Sequence, residues 1–189
     1  MSRDDREHWE HAHGTTAAPG PPSPFLVEHA HLLRPGLVVD VAAGTGRNAA
    51  FLAARGHRVI ALDVARAALA RVSAADARIA CVQMDLDSPG VRPGSVDAVV
   101  VVNFLDRRLF PEVGRWLRPG GTLVWDTFLI DQREIGHPSN PSFLLGRGEL
   151  GERLAGEFRI LAAREGAVED TGGRAFRSGV VAERLDRRA

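Results

Sequence analysis

The stretch LVVDVAAGTGRNAAFLAARGHRVIALD, residues 37 to 63, constrains the fold more than any other part of the chain. An apolar run of strand length turns through Gly44-x-Gly46-x-x-Ala49 into a segment that carries Ala49, Phe51, Leu52 and Ala53 at helical spacing. Gly56 closes that helix, and a second apolar run ends on the acidic Asp63. Strand, glycine turn, helix and strand in this order lay two strands parallel with the helix across one face. Glycine is needed at the turn because a side chain there blocks the close approach of a ligand to the backbone.

The alternation continues. VARAALARVSAAD has helical spacing, RIACVQMD reads as a third strand, VDAVVVVNF as a fourth, RRLFPEVGRWL as a helix and GTLVWDTFLI as a fifth strand. This predicts an α/β, three-layer Rossmann-like sandwich, a parallel sheet wrapped by helices on both faces. The run Val99 to Val102 suits a strand covered on both sides. Beyond the loop DQREIGHPSNPSF and the helix GRGELGERLAG the rhythm breaks. Two strand-like segments, joined through DTGG with no helix between them, predict an antiparallel hairpin on one edge.

Upstream, Phe25 to Leu33 predicts a helix stopped by RPG. Residues 1–23 are polar and end in the proline- and glycine-rich TTAAPGPPSP, which predicts an arm with one short helix around Trp9. Residues 24–189 then form one domain, a size at which roughly 70% of the unfolded chain's surface is buried. The 24 basic residues balance 24 acidic ones, so the totals carry no footprint of a nucleic-acid-coating surface. The single cysteine, Cys81, sits in an apolar run and reads as an inert thiol. No apolar run nears the roughly 20 residues needed to span a bilayer, and a cytoplasmic protein is expected.

The glycine loop suits either a dinucleotide or a sulfonium nucleoside. A pyrophosphate favours free N–H groups at a helix start and disfavours nearby carboxylates. Asp40, four residues before Gly44, repels a phosphate but is an asset to S-adenosylmethionine, which brings an ammonium and a sulfonium. Asp63 can accept from ribose hydroxyls in either case. Asp85 ends the third strand, where its carboxylate can accept from an adenine amine while the Leu86 N–H reaches a ring nitrogen. The set favours the methyl donor over a nicotinamide-dependent oxidoreductase. A non-catalytic cofactor-binding module stays open.

With these residues in place the chain resembles the class I S-adenosylmethionine-dependent methyltransferases, from about Trp9 to Leu185. It is most similar to the small bacterial tellurite-resistance-type enzymes through SPFLVE, GTGRNAAFLA, VVNFLDRRLFPEV, PGGTLVWDTF and HPSNPSFLLGRGEL. The resemblance implies a mostly parallel sheet of seven strands with a reversed last strand. It implies that Gly44, Gly46 and Asn48 face the donor, Asp40 its ammonium side, Asp63 and Val64 the ribose, and Asp85 with Leu86 the adenine. Asn103 and Phe104 would lie near the transferable methyl, with Trp9 and Phe25 in an N-terminal cover. Ala65 replaces a serine that usually caps the next helix, and His13 an aromatic common in the arm.

The expected acceptor is a small molecule, such as a soft sulfur, selenium or tellurium nucleophile, that meets the methyl in line and needs no dedicated base. His137, Arg177 and Asp106 are the candidate catalytic residues, Arg177 because the resemblance places an arginine on the last strand near the pocket. Asp131 and Glu134 are lesser candidate bases, and Arg47 and Arg174 could attract an anion. His8, His11 and His13 lack a fourth ligand and a rigid element, so no metal is expected. NFLDRR lacks the diproline of many nucleic-acid base methyltransferases, and no nucleic acid or membrane partner is expected.

Overall fold

The computed structural model describes residues 20–73, 76, 78–87, 89–170 and 172–186. Helix α1 (Pro24–His29) starts with the Ser23 hydroxyl accepting from the Leu26 N–H and runs into a single 3-10 turn, Ala30–Leu32. Strand β1 (Leu37–Val41), helix α2 (Arg47–Ala54), strand β2 (Arg58–Asp63), helix α3 (Arg66–Ser73) and strand β3 (Ile79–Gln83) then alternate. Strand β4 (Val96–Val102), helix α4 (Leu109–Trp116) and strand β5 (Leu117–Phe128) complete the parallel part. Helix α5 (Glu149–Leu154) and the strands β6 (Phe158–Asp170) and β7 (Gly173–Arg184) end the fold.

The seven strands lie in the order β3-β2-β1-β4-β5-β7-β6. The first five are parallel and β7 runs antiparallel to both β5 and β6. The predicted hairpin is thus the sheet's edge, with β7 inserted next to β5. Every residue of β4 is buried, as its valine run requires for a central strand covered twice.

Strand parity assigns the layers. Val39, Val41, Val99, Val101, Leu123 and Trp125 pack with α4 and α5, where Phe110 stacks on Trp125 at 4.3 Å. Val38, Val100, Val124 and Val181 face the other way, onto α1, α2 and α3 through Phe25, Leu52 and Val72. Asp40 shares its parity with Val38, and Asp126 with Val124, so both carboxylates fall on the α1–α2 face. Both are fully withdrawn from solvent, at 1% and 0% exposure. Among the described residues no helix is long and apolar enough to cross a membrane.

Candidate active site

A cavity of about 940 Å³ opens where the parallel strands end. The strand order fixes its layout. Asp85 and Leu86 follow β3, Asp63 and Val64 close β2, Gly44 and Asn48 follow β1, Asn103 and Phe104 follow β4, and Phe128 ends β5. With neighbouring strands about 4.8 Å apart, the lining runs some 19 Å from an acidic end at β3 to an aromatic end at β5. Pro138, Ser142 and Phe143, from the loop between β5 and α5, complete the aromatic end.

The glycine loop is tied down by the strand next door. Asp63 accepts from the Gly44 N–H at 2.7 Å through one oxygen and from the Ala65 N–H at 2.8 Å through the other. Asp63 thereby joins the glycine loop to the residue that leads into α3, and two of its lone-pair sites stay available. Gly44 and Gly46 hold φ of 53° and 77°, and Ala42 a positive φ of 52° that non-glycine residues seldom adopt. Gly46 does not line the cavity. A Cβ there would meet the Val72 side chain at 2.5 Å, so this glycine seats the loop against α3. Gly46→Ala is expected to cost about 2 kcal/mol from backbone strain and this clash, lowering the melting temperature by roughly 4–8 °C in a calorimetric scan.

Asp40 departs from its expected place on the cavity surface. It lies directly beneath the loop, and its Oδ2 has no hydrogen-bond partner among the described residues. Burial raises its pKa from 3.8 to about 7; the Ala49 N–H opposes that rise, the Asp63 charge adds to it and Arg47 opposes it. Arg47 itself lines the cavity and donates to the Pro21 carbonyl at 3.3 Å. Asn48 accepts from the Ser23 N–H at 3.0 Å, which ties the segment before α1 to α2.

The aromatic end rests on a buried ion cluster. Arg177 donates to Asp126 Oδ2 at 2.8 Å and to Asn103 Oδ1 at 2.6 Å, and its guanidinium sits 4.5 Å from the centre of the Phe128 ring. Arg164 reaches the same carboxylate at 2.9 Å. Asp126 on β5 and Arg164 on β6 both register with Gly179 on the intervening β7, so their side chains must meet across that strand. They can because Gly179 has no side chain: a Cβ there would lie 2.8 Å from Asp126 Oδ1. Asn103, exposed and held at a φ of 56°, projects from this cluster into the cavity. The Trp125 indole N–H fixes the next residue by donating to the Phe104 carbonyl at 3.1 Å.

The candidate catalytic residues are redistributed. Arg177 is 1% exposed and does not line the cavity, meeting its wall at Asn103 and Phe128. His137 is exposed and does not line the cavity; its carbonyl accepts from the buried Gln132 amide at 3.0 Å. Asp106 does line it, but Arg108 grips both its oxygens and, against the opposing effect of burial, holds its carboxyl below the usual range. Asp131 is paired with Arg147. Phe25 is buried under the sheet face against His29 and the Arg164 guanidinium, away from the cavity. Trp9 and His8, His11 and His13 lie outside the described residues, as does most of the arm 1–23. Among the described residues no three His, Cys, Asp or Glu side chains are grouped to hold a metal.

Several contributors went unmarked. Phe128 ends a strand as Asn103 does, so the strand-end rule that found one could have found the other. Arg108 also reaches Asp87, which joins the loops after β3 and β4 beside the acidic end. Arg107 forks onto Glu149 at 2.7 Å through two nitrogens and donates to the Leu144 carbonyl at 2.9 Å, pinning the loop that carries Phe143. No local signal marks a pair separated by 42 residues.

Comparison with known proteins bears on this geometry. A family model described as a methyltransferase domain matches residues 38–121, the part that holds the glycine loop, Asp63, Asp85 and Asn103. Uncharacterized methyltransferases of Mycobacterium tuberculosis and Mycobacterium bovis are 40% identical over 103 residues, 48% of this chain; the chain covers 40% of their length. TehB from Haemophilus influenzae shares the fold with a TM-score of 0.72 at 20% identity, over 96% of this chain and 67% of that one. So does a 1,6-didemethyltoxoflavin-N1-methyltransferase of Burkholderia thailandensis with bound S-adenosylhomocysteine: its TM-score is 0.64 at 20% identity, over 97% and 83% of the two chains. A S-adenosylmethionine-dependent methyltransferase from Methanosarcina mazei gives 0.68 at 19% identity, over 89% and 99%. The sheet order with its reversed last strand and the glycine loop agree with these matches: residues 38–121 are similar to a methyltransferase domain, and the chain shares the fold of S-adenosylmethionine-dependent methyltransferases of known structure.

Proposed function

We propose that this chain transfers a methyl group from S-adenosylmethionine to a small-molecule acceptor. The observation that carries the reading is the unpartnered Asp40 oxygen beneath the glycine loop. A buried carboxylate oxygen without a hydrogen bond is costly, and a neighbouring cation offsets that cost where a pyrophosphate would raise it. The residues present fit the donor and argue against a dinucleotide.

Asp40 would then stabilise the donor's ammonium through the loop, with Arg47 as counter-charge for its carboxylate. Gly44 and Thr45 would let it approach the backbone, and Asn48 would steady the loop. Asp63 and Val64 would meet the ribose, and Asp85 and Leu86 the adenine. That order follows the strands from β1 back to β3 and leaves Asn103 and Phe104 at the reacting end. When bound, the donor supplies an activated methyl on a sulfonium whose charge fades during transfer. The chain's part is to align an acceptor at the β4–β5 end and to exclude water, which the loop bearing Pro138 and Phe143 favours. The N-terminal arm would complete that cover. A cavity of about 940 Å³ is at the upper end for one small ligand and leaves room for an acceptor beside the donor.

Calorimetry with S-adenosylmethionine, S-adenosylhomocysteine and NAD tests the reading: the first two should bind and NAD should not. Tight NAD binding alone would overturn it in favour of an oxidoreductase. Binding without formation of S-adenosylhomocysteine from any acceptor of a broad panel would leave a non-catalytic module. Asp63→Ala should weaken S-adenosylhomocysteine binding by about 2–3 kcal/mol, roughly 30- to 150-fold in Kd, because hydrogen bonds to a charged acceptor are lost. Unchanged affinity would remove Asp63 from the site.

A further inference from the structure

We propose, resting on the methyl-transfer reading above, that Asn103 selects the methyl acceptor: a flat aromatic compound whose edge carries a ring nitrogen or carbonyl to which the Asn103 amide donates. Arg177 is the positioning residue for that contact.

Asn103 is held from two sides. Its backbone N–H donates to the Asp126 carbonyl at 3.0 Å, and its side-chain Oδ1 accepts from Arg177 at 2.6 Å. A guanidinium only donates, so the amide must turn its oxygen to Arg177, and its N–H side is what it presents elsewhere. The residue lines the cavity, is exposed, and stands at a φ of 56°, a left-handed conformation that asparagine tolerates better than most residues. The polarity of this point on the wall is therefore set from behind, by a residue that does not line the cavity itself.

The same arginine supports a ring. Its guanidinium sits 4.5 Å from the centre of the Phe128 ring, which also lines the cavity. A hydrogen-bond donor and an aromatic surface are thus held in fixed relation by one buried side chain. A ligand meets both at once by bringing a face for the ring and a lone pair at its own edge.

Phe104, Pro138 and Phe143 extend the apolar surface around this pair. The charged residues beside it are engaged with partners: Arg108 with Asp106 and Asp87, and Arg107 with Glu149. A flat ring gains buried area and ring-to-ring contact on this surface. Its edge atom, on leaving water, regains from Asn103 the hydrogen bond it gives up, so entry of a polar edge into an apolar pocket is not penalised.

The test uses two flat bicyclic probes of opposite polarity: quinoline, whose nitrogen accepts a hydrogen bond, and indole, whose nitrogen donates one. Calorimetry with S-adenosylhomocysteine comes first; no binding there overturns the methyl-transfer reading itself, and the proposal with it. With that ligand saturating, quinoline should bind the parent at least about fivefold more tightly than indole, since one amide hydrogen bond is made in the first case and two donors face each other in the second. The saturated bicycle 1-decalone, which also accepts, should bind at least about threefold more weakly than quinoline. Asn103→Asp keeps the shape and the pairing with Arg177 but presents only acceptors, so the preference should reverse in favour of indole. Asn103→Gly, which relieves the positive φ, should bring the two probes within about twofold of each other. Arg177→Met leaves Asp126 paired with Arg164 and should also narrow the preference while both probes still bind; equal weakening of both would overturn the positioning role. Preference of the parent for indole or 1-decalone, failure of quinoline to bind, or a quinoline preference that survives in the Asn103 variants overturns the proposal.

Discussion

Replacing Asp126 with alanine is expected to destabilise the protein by about 3–5 kcal/mol, a fall of roughly 6–20 °C in melting temperature. The reason is what stays behind. Arg177 is 1% exposed and spends two nitrogens on the Asp126 carboxylate; without it, the buried guanidinium loses that carboxylate. Arg164 loses its partner on the same carboxylate. Leaving a charge buried and uncompensated costs far more than the intact pair contributes, so the double variant Asp126→Ala, Arg177→Met should recover part of the loss. Urea denaturation followed by the fluorescence of Trp116 and Trp125 reads both, since both indoles are buried in the core. A loss under about 1 kcal/mol for the single variant would mean that water enters and solvates the arginines. The same variant should disturb the site, because Asn103 takes its orientation from Arg177.

That cluster also marks where sequence reasoning stops. The parallel strands, their helices and the edge hairpin are written in local periodicity, since each strand's apolar run and each helix's spacing depend only on neighbouring residues. Gly44, Asp63 and Asp85 were readable for a related reason: the fold places ligands at successive strand ends, and these residues end successive strands. The roles of Asp126 and Gly179 were not. Asp126 sits inside the apolar run of β5, and its partners lie 38 and 51 residues away on strands that only the final sheet order brings together. Arg177 was marked by resemblance as a residue near the pocket, but its burial behind Asn103 follows from the parity of β7, with Arg177, Gly179 and Val181 on one face. Gly46 was legible as a loop glycine, while its reason, the Val72 side chain, belongs to a helix packed against it in space. The matched domain, residues 38–121, holds the acidic end of the cavity, whereas Phe128, Phe143 and the ion cluster fall beyond it.

Asp40 is where stability and function pull apart. Its carboxyl titrates at about 7 when folded and at 3.8 when exposed, so between these values the folded protein binds a proton that the unfolded chain does not. Stability therefore falls as pH rises from about 4 to 7 and levels off above, by about 4 kcal/mol in the limit of that shift. Asp40→Asn removes the titration. The variant should match the parent near pH 4 and exceed it by about 2–4 kcal/mol at pH 8, less than the limit because the amide also needs partners beneath the loop. Binding should move the other way. A donor ammonium favours the ionised carboxylate, so the parent's affinity for S-adenosylhomocysteine should rise by up to about tenfold per pH unit below 7 and flatten above it. Calorimetry in two buffers of different ionisation enthalpy should show close to one proton released at pH 6 and almost none at pH 8. Asp40→Asn should bind at least about tenfold more weakly at pH 8, with no proton released at either pH. If that variant were more stable and bound S-adenosylhomocysteine as tightly as the parent, the buried carboxylate would have no part in holding the donor, and the reading built on its unpartnered oxygen would fall.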